Sequence, residues 1–192
     1  MYNLKKLLVF LRIWPVLLVL KYRLLRNDKY AELWLQDLGR MNAKSTLDLI
    51  SQRPYYMDLL YHRINMPLIS ISQVLFGSTP FFLSPRTPIG GGVFLEHPYC
   101  SRLNAKKIGS NFKCYHGVTF GDNGRGELPI IGDHVTCGAG SCVIGNITIG
   151  DNVNIGAGAV VTKTVPSNCT VIGNPAIIVR LNNQKVNIPL LS

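Results

Sequence analysis

Histidine is the side chain that most readily moves a proton near neutral pH, and this chain holds four: His62, His97, His116 and His134. Such a group can act as general base, for example by taking the proton of a hydroxyl as that hydroxyl attacks an electrophile. His97 follows an acid, Glu96, and His116 lies nineteen residues further on. The five cysteines, at 100, 114, 137, 142 and 169, form no C-x-x-C pair. Their odd number and spacing argue against a disulfide framework or a thiolate zinc site and for a reducing compartment, the cytoplasm.

What must position these residues is a period of six. Ile89 and Leu95 begin it, Ile108, Cys114 and Phe120 continue it, and Ile131, Cys137, Val143, Ile149, Ile155 and Val161 run in unbroken phase. Glycine often follows the anchor, as at 90, 109, 121, 132, 138, 150 and 156, and a second small or β-branched residue tends to lie four after it. Six fits neither the helical period of 3.6 nor one long strand, but it fits a short strand and a turn, repeated. Three such units close one triangular coil, and coils stack by backbone pairing at about 4.8 Å. The anchors point inward, so Cys114 and Cys137 are core residues. His97 and His116 each stand two past an anchor, which puts both on the outside, on the same face. His134 stands three past its anchor, at a turn.

The phase breaks twice. Leu95 to Ile108 is thirteen residues, and Phe120 to Ile131 is eleven. The first break directly follows His97. The second contains Gly121-Asp-Asn-Gly-Arg-Gly-Glu-Leu-Pro129, a loop thrown out of the solenoid.

Over about residues 84–180 this pattern resembles the hexapeptide-repeat acyltransferases. The run Ile89-Gly-Gly-Gly-Val-Phe-Leu-Glu-His97 resembles the segment of serine acetyltransferases in which an acid and the catalytic histidine end a repeat. The resemblance implies a mostly β fold, a left-handed parallel β-helix preceded by an α-helical region. It implies a homotrimer, acetyl-CoA as donor, and His97 as base with Glu96 beside it. His116 would assist, position the acceptor, or be the base itself. Gly138, Ala139, Gly156 and Ala157 would let the pantetheine arm lie against the backbone, with Lys163 and Arg180 near the phosphates. Val171-Ile-Gly-Asn-Pro-Ala176 resembles the segment that ends such a solenoid. No metal is expected. Two positions depart from serine acetyltransferases. Their aspartate fifteen residues before the catalytic histidine is Phe82 here, and their loop histidine before a proline is Leu128. Arg125 is the one loop cation that would replace it. These departures point to a sugar hydroxyl in surface-polysaccharide assembly as the acceptor, with serine as the alternative. Two further alternatives are a γ-carbonic-anhydrase-like zinc site that takes His97, His116 and His134 across a subunit interface, and a non-catalytic scaffold.

The expected organisation is a basic helical region over 1–80, the β-helix over 81–181 and a tail over 182–192. Net charge is +10, and residues 1–30 contribute +6 of it, seven cations less Asp28. The excess therefore lies outside the solenoid, which argues against a nucleic-acid-binding face. Residues 3–26 read as basic helix, suited to peripheral contact with the inner face of an anionic membrane or to capping the trimer. The run 7–20 is too short to span. Ser45 reads as a helix cap, with helices over 53–64 and 68–75.

Overall fold

The computed structural model describes residues 2–26, 28–64 and 81–190. The chain forms two compact units, Met1–Thr79 and Pro80–Ser192.

The first unit holds α1 (Tyr2–Leu25), α2 (Lys29–Arg40), α3 (Thr46–Gln52) and α4 (Tyr56–Ile64). Asp28 caps α2 by accepting the N–H of Tyr30, and Ser45 caps α3 by accepting the N–H of Asp48, as expected. The expected helix over 53–64 begins only at Tyr56, because Pro54 follows the break at Arg53. Trp34 is fully buried and donates from Nε1 to Thr46 Oγ1 at 2.9 Å. Beside it, α2 and α4 are tied by Arg63 and Asp37, both buried, with contacts of 2.9 and 3.2 Å in a two-pronged pair. The expected helix over 68–75 lies outside the described residues.

The second unit is the three-sided solenoid. One face carries β1 (Phe81–Leu83), β3 (Ser101–Leu103), β6 (Thr119–Gly121), β9 (Cys142–Ile144) and β12 (Val160–Val161). Another carries β4 (Lys107–Ile108), β7 (Ile130–Ile131) and β10 (Thr148–Ile149), with Ile89 and Val165 bridging to its ends. The remaining face stacks β2 (Phe94–Leu95), β5 (Lys113–Cys114), β8 (Thr136–Cys137), β11 (Asn154–Ile155) and β13 (Cys169–Ile172). All these pairings are parallel. Residues 177–189 close this face with an antiparallel hairpin, β14 (Ile177–Leu181) and β15 (Gln184–Pro189). The segment expected as a tail over 182–192 thus supplies a strand.

All eleven anchors are buried, Cys114 and Cys137 among them. Leu103 is a further anchor, also fully buried. It lies eight after Leu95 and five before Ile108, so the corner after Leu95 gains two residues and the next loses one. One edge is held by a side-chain ladder: Asp133 accepts the N–H of Ser110 at 2.7 Å, Asp151 that of Asp133 at 2.7 Å, and Ser167 that of Asp151 at 2.9 Å. The next residue in each turn, Asn111, His134, Asn152 or Asn168, takes a left-handed φ of 56 to 59°, a conformation that asparagine and histidine tolerate better than most.

Candidate active site

Registers of Leu95 with Cys114, Cys114 with Cys137, and Cys137 with Ile155 fix one corner of the solenoid. Two residues past each strand, His116, Ala139 and Ala157 form a column, and His97 stands two past β2 at the corner above it. Backbone bonds continue the column, from Gly140 N to His116 O at 2.9 Å and from Gly158 N to Ala139 O at 2.8 Å. His97 and His116 therefore occupy neighbouring coils at one outer corner, with Tyr99 rather than His97 in the backbone position above His116.

The upper corner is rebuilt. Later coils turn on a left-handed glycine, Gly117, Gly140 or Gly158, at φ 66 to 68°. At the first corner the two added residues place the left-handed φ on His97 (50°) and Cys100 (58°) instead. A non-glycine residue held there is conformationally costly and marks a place to look for function. His97 is consequently lifted into solvent, its side chain 67% exposed, with Glu96 Oε1 3.5 Å from its Nε2. The Tyr99 ring stacks beside the imidazole, centroids 6.4 Å apart, and Tyr99 O accepts the N–H of Gly117 in the next coil. Phe82 offers the imidazole no carboxylate; its ring lies instead under the Arg102 guanidinium at 4.5 Å.

Below the histidines the column becomes a ledge of small residues. A Cβ on Gly138 would meet Ala157 N at 2.6 Å, so this glycine is required for coil stacking alone. Around Gly140 and Gly158 nothing lies within 4 Å of a Cβ, so the edge is open there. Gly138, Ala139, Gly156 and Ala157 are brought together. Lys163 and Arg180 do not join them: Lys163 donates to the carbonyl of Leu190 at 3.1 Å, while Arg180 lines an asparagine-rich groove of about 470 Å³ beside Asn152 and Asn168.

His134 belongs to the asparagine ladder on a different edge, and His62 is on α4. Within one chain His97, His116 and His134 do not come together, and among the described residues no group of His, Cys, Asp or Glu could hold a metal ion. A phase of three rather than two past the anchor sends His134 to a different edge from His97 and His116. The loop 122–126 is exposed, with its turns held by Asp122 and Asn123 side chains accepting from Gly124 and Arg125. The period of six skipped Leu103 and left β3 unread, so the outward Arg102 was not singled out. The alternation of Ser101 in, Arg102 out and Leu103 in was the available signal.

A family model described as bacterial transferase hexapeptide (six repeats) matches residues 129–163. A serine acetyltransferase of Staphylococcus aureus strain Mu50 is 36% identical over 157 residues, covering 75% of this chain and 74% of that protein. The chloroplastic serine acetyltransferase 1 of Arabidopsis thaliana is 49% identical over 98 residues, 49% of this chain. The chain spans only 31% of the length of that relative, and 56% of a Staphylococcus xylosus serine acetyltransferase. Among solved structures, soybean serine acetyltransferase apoenzyme superposes with a TM-score of 0.69 at 26% identity, over 83% of this chain and 73% of that one. The Neisseria gonorrhoeae serine acetyltransferase in complex with serine gives 0.66 at 28%, over 82% and 72%.

Proposed function

Because this chain belongs to the serine acetyltransferase family of hexapeptide-repeat proteins, with their left-handed parallel β-helix, we infer that it transfers an acetyl group from acetyl-CoA to a hydroxyl, that of L-serine. The expected sugar acceptor gives way here, since the relatives that cover three quarters of the chain are serine acetyltransferases. The carrying observation is the exposed His97, held at a rebuilt corner one coil from His116, with the Ala139 and Ala157 ledge continuing below that coil.

In this reading the donor lies along the ledge, where small side chains let a pantetheine arm approach the backbone. Lys163 and Arg180, set apart from the ledge, would serve only the outlying phosphates. His97 takes the hydroxyl proton as the oxygen attacks the thioester carbonyl. The C–S bond then breaks, and the proton passes to the departing thiolate. Holding both reactants at one edge makes the step effectively unimolecular. Glu96 stabilises the imidazolium that forms, and His116 lines the acceptor side.

The test is CoA release by the full-length protein with L-serine, compared with nucleotide-activated sugars. His97→Ala should lower kcat/KM about 10²- to 10⁴-fold, and His116→Ala less. An unchanged rate in His97→Ala, or turnover of a sugar but not of serine, would overturn the assignment.

We also propose a homotrimer, and peripheral contact of α1 with an anionic membrane. No helix among the described residues is long and apolar enough to cross one, so α1 would lie on the surface. Its exposed side chains include Leu7, Leu11, Trp14, Leu18 and Leu25.

A further inference from the structure

On the five-stranded face, Phe82 of β1 and Arg102 of β3 are register partners, and both project outward. The guanidinium carbon stands 4.5 Å from the centre of the phenyl ring. Beside them opens a groove of about 650 Å³ lined also by Arg86, Asn104, Lys106 and the loop residue Asp122. Three cations face one carboxylate. Lys106 donates to the Asn146 amide at 3.0 Å. Among the described residues neither Arg86 nor Arg102 has a carboxylate partner.

A phenyl ring supports a guanidinium without neutralising it. Lying flat, the arginine keeps its N–H edges available for a planar, two-pronged contact with an oxyanion. The groove therefore has net positive charge, an ordered cation and room for more than a single ion. It is also tied to the candidate active site by the chain itself. β3 leaves the corner that carries His97, and Arg102 stands five residues past that histidine.

We propose that this groove holds the oxyanion of the acceptor, with Arg102, braced on Phe82, as the residue that selects for it. The oxyanion is the carboxylate of L-serine or the phosphate of a phosphorylated hydroxyl compound. This assignment rests on the acetyl-transfer reading above and adds the acceptor's charge to it.

Two acceptor pairs separate the sources: L-serine against serinol, which keeps a hydroxyl and lacks the carboxylate, and glycerol 3-phosphate against glycerol. CoA release is followed for the full-length protein, Arg102→Met and Arg102→Lys. Arg102→Met should raise KM for the anionic member of the pair that is turned over by about tenfold or more. KM for acetyl-CoA and turnover of the neutral member should hold, and Arg102→Lys should recover part of the loss. An equal effect on the neutral member, or a rise in KM for acetyl-CoA instead, would overturn the assignment. Calorimetric titration with inorganic pyrophosphate probes the groove without turnover. Binding that weakens in Arg102→Met supports the proposal even if no acceptor tried is acetylated, a result that would count against the acetyl-transfer reading alone. Absence of binding to the unmodified protein at millimolar pyrophosphate sinks it.

Discussion

Burial sets the behaviour of individual side chains in both units, and two cases can be measured. Desolvation in the solenoid interior pushes the Cys114 thiol up to about 12, against a lowering by the Ser101 hydroxyl, and raises Cys137 well above 9. A thiol that stays neutral when folded but ionises near 9 when unfolded stabilises the unfolded state as pH rises. For Cys114 the contribution is therefore intact below pH 9 and is lost between 9 and 12, at up to about 1.4 kcal/mol per pH unit. Urea midpoints should fall more steeply above pH 9 in the unmodified protein than in Cys114→Ala, and equal slopes would contradict this. In the helical unit, Arg63 and Asp37 are 1% and 0% exposed. Arg63→Met takes the guanidinium from a buried carboxylate and should cost about 3–5 kcal/mol, whereas adding Asp37→Leu should recover part of it. Chemical denaturation of the two variants measures the difference.

At the scale of elements, stacking coils impose two distinct demands on glycine. Gly138 has no room for a methyl group, because Ala157 N lies 2.6 Å from where its Cβ would stand. Gly140 has room but a left-handed φ of 68°. Gly138→Ala should therefore force neighbouring backbone apart and cost about 1–3 kcal/mol, while Gly140→Ala should cost about 1–2 kcal/mol through backbone conformation alone. Thermal unfolding checks the sizes. A shift of the β8 and β11 amide resonances in the first variant and not in the second would separate the causes. The same coil geometry explains what could be read from the sequence. The anchors were legible because each inward position repeats at six and tolerates only compact apolar groups. Leu103 was hidden because the corner at His97 gains two residues and the next loses one, so the sum of thirteen looked like a single insertion. With Leu103 hidden, so was the outward Arg102. α2 escaped for a different reason: its buried face carries Ala31, Trp34 and Asp37. A buried aspartate reads as polar until its partner Arg63, 26 residues away, is known.

For the whole molecule, charge and apolar exposure coincide at one end of the sequence. Residues 1–30 carry +6 of the net +10. The helix they form also exposes Leu7, Phe10, Leu11, Trp14, Leu18, Tyr22 and Leu25, while Ile13 and Leu20 are buried. Successive members of the exposed set are mostly three or four residues apart, so they form a stripe along α1. Water contact with so many large apolar groups is unfavourable at about 25 cal/mol per Å². A covering surface that is apolar below and anionic above would relieve it, and each nearby cation adds roughly 1 kcal/mol at such a surface. The full-length protein should therefore float with phosphatidylserine-containing liposomes and lose that binding as salt rises. The triple variant Leu11→Ser, Trp14→Ser, Leu18→Ser should stay at the bottom of the gradient. Light scattering of both proteins distinguishes the rival cover, α1 packed within the trimer. Were the triple variant to lose its oligomeric state while the unmodified protein never floats, the stripe would be an assembly surface, and the membrane assignment would fall.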